Sequence, residues 1–143
     1  MNDLSTLLLA WYQKNKRELP WRKDQDPYHV WISEIMLQQT RIEAVIPYYD
    51  RFMKKIPSIH HLAVIPEDEL LKLWEGLGYY NRARNLKKAA QMIVEKYHGV
   101  FPNRYDDILK LPGIGEYTAS AIASICFSLA TPTVDGNVMR VFT

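Results

Sequence analysis

Two carboxyl groups and a glycine hairpin are the parts of this sequence best suited to chemistry. The first carboxyl is Glu34 in VWISEIMLQQT, residues 30 to 40, where Val30, Trp31, Ile32, Ile35, Met36 and Leu37 leave little polar face. At about 100° per residue, Glu34 projects between Val30 and Trp31, with Leu37 and Gln38 a turn further on. Glutamate is rarely buried without a partner or a task. Apolar surroundings disfavour the charged form, so a carboxyl here keeps a proton that it could donate. Pairing with a basic side chain elsewhere in the core is the alternative reading. The second carboxyl, Asp135 in VDGN, stands where a last helix opens. An Asp or Asn there is a common N-cap. A carboxylate held by backbone N–H groups at a helix start stays ionised and can oppose developing positive charge.

The hairpin is LPGIGEY, residues 111 to 117, followed by a helix rich in alanine and serine. Gly113 and Gly115 carry no Cβ, so their N–H groups can approach a ligand closely. A helix opening at Glu116 directs free N–H groups and the positive end of its dipole outward, which suits a phosphate oxygen. A plain turn between helices is the alternative. A related order of Gly, apolar, Gly, any residue, Tyr occurs in WEGLGYYNRA, residues 74 to 83. It predicts a second tight helix-to-helix turn of similar design.

The elements that must position these groups read as helical throughout. Leu4, Leu7, Leu8, Trp11 and Tyr12 form one stripe of a first helix, and ELPWRKDQDPYH is a polar connector broken by Pro20 and Pro27. The Glu34 helix follows. A third helix runs from near Ile42 to before Pro57, with Val45, Ile46, Tyr49, Phe52 and Met53 inward. Asp68 to Trp74 is short and Ala83 to Tyr97 longer. Tyr105 to Lys110 is short again, and Glu116 to Leu129 carries small residues. Strand signals are nearly absent, and the pattern is that of an all-α domain with short connections. DGNVMRVFT reads as a helix just begun, so truncation is expected, with residues 1–16 as an N-terminal helix whose apolar stripe packs on missing C-terminal helices. That stripe is expected to be exposed or covered by self-association with a second copy.

With 143 residues, 48% hydrophobic and 24% charged, the chain is sized and composed to bury a single core. Its net charge of +2 does not by itself announce nucleic acid. A backbone hairpin can hold DNA without a large basic patch. No apolar run approaches a membrane span, and a cytoplasmic protein without membrane contact is expected, nucleoid-associated in a bacterium. The single cysteine, Cys126, reads as a small core residue and excludes an intrachain disulfide or a multi-cysteine metal site.

WISEIMLQQT, EGLGYYNRARNL, LPGIGEYTASAI and VDGNVMRV, in that order, resemble the endonuclease III superfamily of DNA glycosylases, and most of all its MutY-like, adenine-removing branch. The resemblance implies an endonuclease III-like six-helix barrel over residues 17–143, with a helix-hairpin-helix near 105–129. It implies removal of adenine mispaired with 8-oxoguanine or guanine in double-stranded DNA, the adenine being flipped out of the helix, with these 143 residues a truncated catalytic portion expected to be weakly active or inactive. Glu34 matches the general acid and Asp135 the catalytic aspartate, with Tyr117 and Asn137 ordering the surroundings of Asp135. Tyr117 stands where bifunctional members carry the lysine that attacks the sugar. Gln39 and Thr40 match residues near the orphaned base, and Tyr79 with Leu77 the wedge in the stack. Gly113 and Gly115 match the phosphate-holding hairpin, and Arg22 and Arg82 further DNA contacts. The family's [4Fe–4S] cluster, held by four downstream cysteines, is expected in a longer parent, with no cofactor and no metal in these 143 residues. A thymine glycosylase acting on G·T mismatches, or a non-catalytic helix-hairpin-helix module, are the competing readings; the second has no need of Glu34 or VDGN.

Overall fold

A computed structural model describes residues 19–22, 24–38 and 40–128. Among these residues every regular element is helical. A 3-10 turn at Pro20–Arg22 leads to α1 (Pro27–Met36), α2 (Ile42–Lys55), α3 (Ile59–Val64) and α4 (Glu67–Trp74). α5 (Tyr80–Tyr97), α6 (Tyr105–Leu109) and α7 (Glu116–Phe127) complete the set. The expected helix over residues 1–16 and the helix opening at VDGN lie outside the described residues.

α1 begins where its sequence says it should. Pro27 occupies the first turn, where a missing N–H costs nothing, and the Asp26 carboxylate accepts from the Tyr28 N–H at 2.8 Å. Val30, Trp31, Ile32, Ser33, Ile35 and Met36 are all buried, so the helix is enclosed on most sides. Ser33 is accommodated by donating its hydroxyl to the Val30 carbonyl at 2.7 Å. Tyr28 donates its hydroxyl to the Ile56 carbonyl at 2.7 Å, tying the start of α1 to the end of α2. Burial, and then the neighbouring Tyr49, push the Tyr28 phenol far above its ordinary range.

One cluster of buried side chains extends from Leu19 to Ala123 and includes Trp21, Trp31, Trp74 and Phe52. α5 packs on α3 and α4, and α1 packs on α2 and α7. In α2 the core face is Val45, Tyr49 and Phe52, spaced for a 3.6-residue period, with Ile46 and Met53 partly covered. Cys126 is half-buried and packs against the core.

Three elements differ from the sequence reading. α3, between Pro57 and Pro66, is too short for a periodic signal; the Ser58 hydroxyl caps it by accepting from the His61 N–H at 3.3 Å. The connector from Glu18 is not simply polar, because Leu19 is buried and Trp21, 1% exposed, meets the Tyr49 ring edge-on at 5.1 Å. α5 starts at Tyr80 rather than Ala83, which makes Tyr79 its cap.

Gly76 sits at φ 98°, and a Cβ placed on it would meet the Tyr48 hydroxyl. Gly76→Ala is therefore expected to cost about 1–3 kcal/mol, from left-handed backbone and the displaced tyrosine together. Thermal denaturation checks this, and a wild-type midpoint would show that the turn tolerates a side chain.

Candidate nucleic-acid interface and catalytic face

The two glycine segments fold into matching turns. The Leu77 N–H donates to the Trp74 carbonyl at 3.0 Å, and the Ile114 N–H donates to the Leu111 carbonyl at 3.2 Å. The third residue of each turn is glycine with positive φ, 98° at Gly76 and 80° at Gly113. Both thus have type II character, Pro112 filling the position that favours proline. Leu77, 7% exposed, and Ile114, 6% exposed, plug each turn into the core. The turns then diverge. Gly115 is extended at φ −92° and ψ −179°, so α7 starts at once. Gly78 and Tyr79 are left-handed, at φ 75° and 53°, and α5 starts one position later relative to the shared pattern.

Both turns gather at the N-terminal end of α5. The first turn leads directly into it. The second presses on its side, since a Cβ on Gly113 would lie 2.8 Å from the Asn85 Cβ. Asn85 is five residues into a helix that rises about 1.5 Å per residue, so the two turns are close neighbours.

Tyr79 is 64% exposed and left-handed, a conformation that costs a bulky residue about 1–3 kcal/mol. Its surroundings hold it there. The Arg82 N–H donates to the Tyr79 carbonyl at 2.9 Å, and the Trp74 indole N–H donates to the Gly78 carbonyl at 3.0 Å. The Arg82 guanidinium lies over the Tyr79 ring, 4.9 Å from its centre. Arg82 also reaches α1, donating from Nη1 to the Ile35 carbonyl at 3.0 Å. Burial lowers the Arg82 pKa, partly offset by Tyr79. A cleft of about 350 Å³ opens here, lined by Gln38, Tyr79, Tyr80, Asn81, Arg82 and Arg84.

Glu34 is half-buried rather than enclosed, because the helix around it opens at Leu37 and Gln38. It precedes Ile35, so the residue bonded by Arg82 is its immediate neighbour. Thr40 is half-buried in the turn after α1. Tyr117, 55% exposed, stands in the first turn of α7. Gly115, the residue before that turn, is open: a Cβ there meets nothing within 4 Å. Glu116 in the first turn complements the helix dipole. On the packed pair α1 and α7, the Trp31 indole N–H and the Ser120 hydroxyl are buried without hydrogen-bond partners among the described residues.

The structure therefore joins the end of the Glu34 helix to the Tyr79 turn and sets the LPGIG hairpin beside it. Leu77 is a buried plug, so only Tyr79 of that pair stands outward. Gln39, Asp135, Asn137 and the Arg22 side chain lie outside the described residues. Sequence reasoning named Arg84, with Arg82, Lys87 and Lys88, as a possible phosphate contact but missed Gln38, Tyr80 and Asn81 as cleft residues. The one signal for them was their position beside Gln39 and Tyr79. Arg84 is engaged at the surface, with Glu67 at 3.4 Å and Asn81 at 3.1 Å.

Asp24, Asp26 and His29 bring ligand-type atoms within 4.8 Å of one another. Asp26 caps α1 and Asp24 pairs with His29 at 3.2 Å, so helix capping accounts for the cluster. A [4Fe–4S] cluster requires four thiolates, and one cysteine among 143 residues does not fit it. No helix among the described residues is long and apolar enough to cross a membrane.

The family described as HhH-GPD superfamily base excision DNA repair protein matches residues 32–143. Among curated relatives, the adenine DNA glycosylase of Buchnera aphidicola subsp. Baizongia pistaciae is 51% identical over 135 residues, covering 94% of this chain and 38% of the relative. That of Rattus norvegicus is 48% identical over 143 aligned positions, covering 94% of this chain and 28% of the relative. The chain thus spans well under half the length of these relatives. Among solved structures, a thermostable thymine-DNA glycosylase superposes with a TM-score of 0.78 at 33% identity, covering 96% of this chain and 64% of that one. A trapped endonuclease III–DNA covalent intermediate superposes with a TM-score of 0.72 at 31% identity, covering 82% of this chain and 56% of that one.

Tyr79→Asn or Tyr79→Gly, which tolerate the left-handed region, are expected to hold or raise the thermal midpoint. Tyr79→Val is expected to lower stability by about 1–3 kcal/mol. Equal midpoints for Tyr79→Val and wild type would show that the cap is unstrained.

Proposed function

The chain belongs to the HhH-GPD superfamily of base excision DNA repair proteins, and on that premise we propose that it carries the DNA-excision chemistry of a monofunctional adenine DNA glycosylase. Its substrate is double-stranded DNA holding adenine opposite 8-oxoguanine or guanine. The observation that carries the reading is the hydrogen bond from Arg82 to Ile35. It ties the backbone next to Glu34 to the turn that carries the exposed Tyr79, which supports the reading.

A base inside a stacked duplex is out of reach and must be extruded. Tyr79 fills the gap, Gln39 and Thr40 face the base left behind, and the hairpin N–H groups at Gly113 and Gly115 hold the backbone. Glu34 gives its proton to N7 of the adenine. The C1′–N9 bond breaks with its electron pair going to the base, which departs neutral. The sugar becomes an oxocarbenium-like cation, opposed by the Asp135 carboxylate within reach of Tyr117 and Asn137. Water then adds to C1′ and releases a proton.

Tyr117 is a phenol where strand-cleaving relatives need an amine, so the chemistry stops at base release. An iron–sulfur cluster and a region that reads 8-oxoguanine belong to the longer protein that the relatives' lengths suggest. A thymine-removing activity is the second reading, favoured by the likeness to the thymine-DNA glycosylase.

In the gene product as its cells make it, adenine release opposite 8-oxoguanine or guanine is expected to fall at least about 10²-fold in both Glu34→Gln and Asp135→Asn. Thymine release alone, or full activity in Glu34→Gln, overturns the reading. Borohydride is expected to trap no enzyme–DNA adduct of the Schiff-base type, and a trapped adduct would overturn the monofunctional assignment.

A further inference from the structure

Arg82 does more than a cation on a DNA-facing helix has to do. A residue that only met phosphate would stay at the surface, as Arg84 does with its exposed partners Glu67 and Asn81. The Arg82 guanidinium is instead folded back against protein. Nη1 is bonded to the Ile35 carbonyl at the C-terminal end of α1, where a cation is favoured by the helix dipole. One face covers the Tyr79 ring at 4.9 Å. Nη2 is buried with no hydrogen-bond partner among the described residues. A buried donor left unmatched costs about 1–3 kcal/mol.

These contacts connect two parts that the chemistry requires together. Ile35 follows Glu34, and its carbonyl can move only if the end of α1 moves. Tyr79 and Arg82 are also tied through the backbone, by the 2.9 Å bond from the Arg82 N–H to the Tyr79 carbonyl. A shift of the Tyr79 ring changes the face that the guanidinium packs on, and a shift of the Tyr79 backbone moves the turn that carries Arg82. Lysine would keep the charge, but it has no flat face and no fixed fork, and could not serve Ile35 and Tyr79 in this geometry.

We propose that Arg82 is a positioning residue that couples the seating of Tyr79 in the opened base stack to the placement of Glu34 against the extruded base. This rests on the glycosylase reading above. It makes Arg82 act on the rate of base release at saturating enzyme, not only on DNA affinity.

The test uses Arg82→Lys and Arg82→Gln in the gene product as its cells make it, with thermal melts to establish folding. Three quantities are measured: DNA affinity, the single-turnover rate of base release at saturating enzyme, and 2-aminopurine fluorescence at the target position as a readout of extrusion. Arg82→Lys is expected to bind DNA nearly as wild type, yet to lose about tenfold or more in single-turnover rate with a weaker extrusion signal. A double-mutant cycle of Arg82→Gln with Tyr79→Ala is expected to be strongly non-additive in rate. A loss confined to affinity, a wild-type single-turnover rate in Arg82→Lys, or an additive cycle would each overturn the coupling. Rates are compared on whichever mispaired base the wild type removes. Failure of the wild type to release adenine therefore counts against the adenine reading alone, and the variant ratios still decide the role of Arg82.

Discussion

The candidate interface of the described structure depends on closing two glycine turns against the first turns of α5. Each turn needs a glycine with positive φ at its third position, and each drives one apolar plug, Leu77 or Ile114, into the core. Without those plugs the outward residues would have no fixed origin. With them, the exposed Tyr79 and the hairpin backbone are set on the same end of one eighteen-residue helix. The third participant, α1, reaches this point through one carbonyl, that of Ile35.

Two unfavourable terms fall where function is proposed. Tyr79 is left-handed without being glycine, and Arg82 keeps a buried donor unmatched among the described residues. Many other local choices are mutually consistent. Asp26 and Ser58 cap their helices, Tyr28 and Ser33 satisfy their hydroxyls on carbonyls, and Val45, Tyr49 and Phe52 follow one helical stripe. Gln25, His98 and Ser128 are also left-handed, and the Trp31 indole and Ser120 hydroxyl are buried without hydrogen-bond partners among the described residues, so such conflicts are not confined to one face.

Much of this was legible in the sequence, and the failures have physical causes. Long periodic helices such as α2 were readable because a 3.6-residue stripe repeats often enough to be recognised. α3 offers fewer than two turns between prolines, so its cap at Ser58 was the only available signal. The start of α5 was placed late because its N-cap, Tyr79, is left-handed and lacks the short polar side chain from which a helix start is normally read. Arg82 was readable as a charge but not as a link, since its partner Ile35 lies 47 residues away. The half-burial of Glu34 likewise depends on where α1 ends, which short-range pattern does not define. The resemblance of the two glycine segments was readable, and their shared turn geometry agrees with it.

The packing of α1 on α7 bears on the order in which the chain can assemble. α3, α4 and α5 are near neighbours in sequence, and their contacts close short loops at little entropic cost. The α1–α7 contact closes the longest loop among the described helices. During synthesis α1 emerges before the other described α-helices, with a surface apolar on most sides, and meets α7 only after the hairpin has been made. Until then the face of α1 that packs on α7 lacks its cover. The helix that bears Glu34 is made before α7 and is closed over only when α7 arrives.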